Sequence, residues 1–232
     1  MLFDIMNYIS AGDYRTLVVQ LSALLFVVFC TLPVHEFAHA WMAVKLGDDT
    51  PKYKGRLTLK PMAHIDLIGA AMILLVGFGY AKPVPVNMRN LKNGRKSFAL
   101  VALAGPLSNL IMALIFMLFE TIIRVLAIKS AIPVVAYTVF GSFFGFAATV
   151  NISLAVFNLL PIPPLDGSRI ATLLIPAKHY FKIMQYERYI MIGMFVLLWT
   201  GILTTPLSFL SNLAYKGLDF IVELPFKLMG LL

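Results

Sequence analysis

Cysteine and charge are the two things this chain has little of. Its single cysteine, Cys30, cannot pair within one chain, so a disulfide-stapled fold is excluded. Only 13% of the 232 residues are charged, about half the share usual in a soluble domain. No basic stretch followed by a short apolar core opens the chain, so no cleavable leader is expected and the first spanning helix would direct insertion. Internal repeats and low-complexity tracts are missing, and the loops are too short for a soluble insertion of PDZ size. What fills the space is apolar: 60% of the residues are hydrophobic and the mean hydropathy is +0.87. That composition predicts a polytopic, all-α membrane protein. The net charge of +8 does not argue for nucleic acid, because the basic residues cluster in short loops between apolar runs, as membrane topology requires.

Four runs are long enough to consider as spans: Leu17–Val34, Phe98–Ile123, Ile132–Leu160 and the shorter Tyr189–Thr204. Between the first two lies Leu67–Tyr80, a 14-residue apolar stretch with Gly69, Gly77 and Gly79. Basic residues flank it on both sides, Lys45 to Lys60 before and Lys82 to Lys96 after. The positive-inside rule therefore puts both flanks in the cytoplasm and makes the stretch a re-entrant element, with its glycines as a candidate gate. Arg56–Lys60 alternates polar and apolar residues like a half-exposed strand. The tail, Pro206–Leu232, mixes charges with apolar residues and reads as an interfacial amphipathic helix. The expected layout is one membrane domain, 1–232, with a core at about 17–170 and peripheral helices at 171–232.

The chemistry begins at residues 35–39, His-Glu-Phe-Ala-His. On a helix, His35 and His39 leave one face about 6 Å apart. That spacing lets two imidazoles share one Zn²⁺, with Glu36 beside it to take a proton from water. Ionisable groups at membrane depth are costly and usually functional, which weighs against two histidines that merely pack. A catalytic zinc takes a third protein ligand. His64, His179, Asp66, Glu120 and Asp166 are the candidates at this point. Asp166 follows three prolines (161, 163, 164) that must end the helix and turn the chain. It falls near the same predicted depth as the histidines. Elsewhere plainer readings serve: interfacial polar residues for His64 and Asp66, an i,i+4 ion pair for Glu120 and Arg124, a solvated loop for His179, an interhelical hydrogen bond for Asn151, and helix packing for Gly141 and Gly145.

Three motifs together carry a resemblance: His-Glu-x-x-His at 35–39, Gly105-Pro106-x-x-Asn109, and Asn158-x-x-Pro161-x-Pro163-x-Leu165-Asp166-Gly167. With them the chain resembles the site-2 protease family of intramembrane zinc metalloproteases. Arg56–Gly69 and Ala81–Asn87 are similar to its compact branch, which lacks PDZ and CBS domains. The resemblance implies that His35, His39 and Asp166 hold one zinc per chain. It makes Glu36 the general base and Asn158 the group that meets substrate or the oxyanion. It implies a three-helix catalytic core and single-pass transmembrane proteins as substrates. The expected setting is a bilayer, a prokaryotic plasma membrane, with the site toward the cytoplasm and Arg56–Lys60 offered as an edge for an unwound substrate. The rival is a non-catalytic metal-binding membrane protein or transporter. Glu36 speaks against it, since a pure binding site needs no carboxylate there.

Overall fold

The computed structural model describes residues 2–76, 79 and 81–232, and among them the regular structure is helical throughout. Helix α1 (Leu2–Ala11) turns at Gly12 into α2 (Tyr14–Phe26), whose first turn is capped by the Asp13 carboxylate accepting from the Thr16 N–H. One wide π-turn, Val27–Thr31, joins α2 to α3 (Leu32–Lys45). Pro33 has no N–H to give to the preceding turn, and the wide turn absorbs that loss without ending the helix. Tyr14–Lys45 is thus one helix of 32 residues. The paired histidines sit well inside it rather than at its end.

Two short helices follow, α4 (Thr50–Tyr53) and α5 (Pro61–His64). Between them Arg56–Lys60 is irregular, which corrects the expected strand. A lone alternating segment has no ladder to join, and its groups go to local partners instead: His64 Nε2 lies 2.7 Å from the Thr58 carbonyl. Helix α6 (Leu67–Val76) then leaves and the chain comes back. Lys82 N–H donates to the His64 carbonyl at 2.8 Å, and the buried Arg56 guanidinium donates to the Ala63 and Lys82 carbonyls. The segment therefore starts and ends at one place, as a re-entrant element must. Its expected limit at Tyr80, and Gly77 of the candidate gate, lie outside the described residues.

Two further long apolar helices follow, α7 (Arg95–Ile128) and α8 (Val134–Asn158), of 34 and 25 residues. Leu103, Leu107, Ile111, Ile115, Leu118 and Ile122 form an exposed stripe at helical spacing along α7. Such a stripe is unfavourable in water and suits a lipid neighbour. The opposite faces close on one core. Val27, Ala113, Phe116, Met117, Ala147, Ala148 and Ile152 bring the first long helix, α7 and α8 together, and small residues at 113, 147 and 148 let the backbones approach. Gly145 belongs to the same intramolecular packing: a Cβ there would lie 3.9 Å from the Glu120 side chain.

Beyond α8 come α9 (Asp166–Ile170), α10 (Ala177–Met184), α11 (Glu187–Trp199) and α12 (Thr204–Leu228). The expected fourth span breaks here. Helix α11 has only 13 residues, and the chain bends by 83° into α12. Nor does the tail lie apart as an interfacial helix. Leu203 and Leu207 pack near Leu160 and Leu165, while Val222 joins the α7–α8 core and Glu223 pairs with Arg124. Helix α12 thus runs beside the bundle from the level of Asp166 toward the far end of α7. Val222 is its buried anchor, with Ala214, Tyr215 and Leu218 partly buried against the same core, while Phe209, Leu213, Phe220 and Ile221 stay exposed. The expected Glu120–Arg124 pair is replaced by Arg124–Glu223, with Lys227 also 2.7 Å from Glu223.

Candidate active site

Three buried side chains from two elements meet where α3, α7 and α9 come together. His35 and His39 Nε2 lie 3.4 and 3.2 Å from Asp166 Oδ2 and 3.1 Å from each other. A tetrahedral site with bonds near 2.0–2.1 Å needs ligand atoms about 3.3 Å apart. The observed triangle matches that spacing, so the cluster fits one metal ion as it stands. His35, His39, Asp166 and Glu36 are 4–8% exposed. Burial would raise the Asp166 carboxyl, but the His39 and His35 rings outweigh it and hold the group below the ordinary carboxylate range, as an anion.

Close approach by glycine makes this meeting possible. A Cβ on Gly105 of α7 would lie 2.3 Å from His39 Nε2 and 2.6 Å from His35 Cε1. A Cβ on Gly167 would lie 2.2 and 2.3 Å from the Leu159 and Leu160 carbonyl oxygens. Only a residue without a side chain lets α9 tuck under the end of α8 and aim Asp166 inward. His39 Nδ1 lies 2.7 Å from the Val101 carbonyl; donating there leaves Nε2 with its lone pair toward the metal position.

Glu36 and Asn158 line the same cavity, of about 280 Å³, together with Arg169. The Asn158 amide donates to the Leu154 carbonyl at 3.0 Å, so in this state it is held by its own helix. Ala81, Pro83 and Val84 form one wall, and Ile73 and Gly79 close the top. A second, apolar cavity of about 290 Å³ adjoins it between α2 and α8, and the two share Leu32, Ile73, Gly79, Leu154 and Phe157. His64 is fully buried elsewhere, Asp66 accepts from the Ile68 and Gly69 N–H groups at the start of α6, and neither belongs to the metal cluster, nor do Glu120 and His179. Sequence reasoning passed over Arg56, Gly105 as a ring contact, and the Val101 carbonyl. A lone buried-looking arginine in a basic loop gives no signal of what it holds, and backbone acceptors have no residue signature.

An inward-facing His-Glu-x-x-His on a membrane helix, completed by an aspartate from a second segment, defines a membrane-bound metalloprotease. Residues 23–201, more than half the chain, match Peptidase family M50, and the chain belongs to that family. It is 42% identical over 177 residues to YwhC of Bacillus subtilis, covering 76% of this chain and 80% of that protein. It is 32% identical to Rip2 of Mycolicibacterium smegmatis over 142 residues, covering 59% of this chain and 51% of Rip2. A Methanocaldococcus jannaschii relative is 37% identical over 139 residues, covering 59% of this chain and 62% of that protein. All three are named as candidate zinc metalloproteases. No solved structure matches the chain. The chain is therefore a zinc metalloprotease, a membrane protein with three helices among the described residues long and apolar enough to span.

Proposed function

We propose that this metalloprotease cuts peptide bonds within or beside transmembrane segments of other membrane proteins, with one zinc per chain held by His35, His39 and Asp166. The observation that carries the reading is the continuity of the buried cluster with an apolar groove between α2 and α8. A soluble peptide has no use for such an approach, whereas a helix arriving from lipid does. When bound, zinc supplies a Lewis acid for the scissile carbonyl and lowers the pKa of its water toward neutrality. Glu36 stands beside the cluster to accept the proton of the attacking water and return it to the leaving amine. Asn158 leaves Leu154 and donates its amide N–H to the charge developing on the carbonyl oxygen. Ala81–Val86, extended by its prolines, walls the cavity against the unwound substrate. The basic loops around residues 45–60 and 82–96 support a site at the cytoplasmic side, and the bacterial and archaeal relatives support a prokaryotic plasma membrane.

The test is to reconstitute the protein in vesicles with a single-pass reporter and map the cut by mass spectrometry, using an unfolded soluble protein as the competing substrate. Cleavage confined to the reporter, in or next to its apolar segment, is the expected result. Equal cleavage of the soluble protein would contradict the intramembrane reading while leaving the metalloprotease intact.

A further inference from the structure

Four buried polar atoms without a hydrogen-bond partner belong to three residues around the cluster: His35 Nδ1, both Asn109 amide atoms, and Asn151 Oδ1. Each residue is nearly or fully inaccessible, at 4%, 1% and 0% exposure. Leaving such groups unpaired costs roughly 1–3 kcal/mol each, so the set calls for an explanation.

Helix register supplies one. Helices α3 and α7 run antiparallel, with His39 bonded to Val101 and Val27 packed in one core with Ala113. Four-residue steps down one helix therefore match four-residue steps up the other. A Cβ on Gly105 would meet the His35 ring, which puts the two level, and one helical step further along each chain puts Asn109 level with Thr31. Side chains lean toward the N-terminus of their own helix. His35 thus leans toward the Asn109 level, and Asn109 leans back toward His35. On the other side, Ala113 packs with Ala147, Ala148 and Ile152, so the next turn of α7 brings Asn109 to Asn151 of α8. The Asn151 amide N–H already donates to the Ala147 carbonyl at 2.8 Å, leaving its oxygen as the open end.

The donors and acceptors balance. His35 Nδ1–H and Asn109 Nδ2–H are the donors; Asn109 Oδ1 and Asn151 Oδ1 are the acceptors. We propose that Asn109, backed by Asn151, is the positioning residue for His35: the two are not bonded in this structure, and rotation of the Asn109 side chain lets its oxygen accept the Nδ1 proton and fix the ring with Nε2 toward the metal. His39 has the Val101 carbonyl for this task, whereas His35 Nδ1 has no partner among the described residues. The Asn109 of the Gly-Pro-x-x-Asn stretch thereby gains a task distinct from helix packing. The assignment rests on the metal reading of the cluster, not on the choice of substrate.

The experiment measures zinc affinity of the full-length protein in detergent by chelator competition, for wild type, Asn109→Leu, Asn109→Asp and Asn151→Leu. Losing an outer acceptor typically weakens a metal site about 10–100-fold. Asn109→Leu, similar in size but without an acceptor, is expected to show that loss. Asn109→Asp, which keeps the acceptor, should stay within about threefold of wild type, and Asn151→Leu should lose less than Asn109→Leu. Wild-type affinity in the leucine variant, or an aspartate variant as weak as leucine, would overturn the proposal. Should the leucine variant not fold, the aspartate variant decides: retained affinity supports the role and a tenfold loss refutes it. A wild type that takes up no zinc at all refutes the metal reading and the assignment with it. Absence of reporter cleavage with zinc bound bears on the substrate alone.

Discussion

Two glycines decide whether the chemistry can assemble, and both make sharp predictions. Gly105→Ala would drive a methyl into the His39 and His35 rings, at 2.3 and 2.6 Å before relaxation. Bound zinc, measured by elemental analysis, should fall below about a tenth of wild type, with helical content preserved. Gly167→Ala, pressed against two carbonyl oxygens, should displace Asp166 and give the same loss. A third prediction concerns Asp48, fully buried and accepting from the Thr50 hydroxyl, the Asn87 and Thr50 N–H groups and the Asn90 amide. Burial pushes its carboxyl up, but these hydrogen bonds prevail and hold it below the ordinary value. A depressed carboxylate stabilises the fold above its unfolded pKa, near 3.9, and loses that contribution as pH falls through the folded value. Asp48→Ala should therefore lower stability by about 2–3 kcal/mol at neutral pH, read by denaturant unfolding, with the deficit shrinking below about pH 4.

At the scale of elements, the re-entrant segment matters because it roofs the cavity, and Arg56 ties its two legs together. Arg56→Gln should loosen that roof. The expected outcome is a KM for a membrane reporter raised several-fold with zinc affinity unchanged; an unchanged KM would show that the legs are held by Lys82 and His64 alone. This element also shows what was legible. Its return to one side could be read from basic flanks, because insertion energetics act on charge directly. Arg56–Lys60 misled, because alternation reports half-exposure and not the presence of a partner strand. The two histidines were readable from His-Glu-x-x-His, a local constraint, whereas Asp166 was one of five candidates from the residues alone and entered as the third ligand through the family resemblance. Arg124 with Glu223 was not, since that pair joins residues 99 apart that only the packing of α12 brings together.

For the molecule as a whole, the buried site and the lipid-facing bundle belong to one construction. Helix α7 shows an apolar stripe outward, while Asn109 and Asn151 are buried within the bundle, so its inside can hold polar groups that lipid would reject. Helix α12 braces this bundle at the end away from the cluster. Removing its anchor by Arg124→Ala should lower thermal stability modestly, by about 1 kcal/mol, without altering zinc content. The tail's role escaped sequence reading because its charges suggested an interface, whereas the structure pairs Glu223 with Arg124 of α7 and buries Val222 in the core. The measurement closest to the proposed function compares reporter-helix cleavage by wild type and Glu36→Gln, with bound zinc quantified in both. Cleavage by wild type only, with about one zinc per chain in each, is the predicted result. Equal cleavage by the two, or zinc in both and cleavage in neither, would contradict a hydrolytic site run by Glu36.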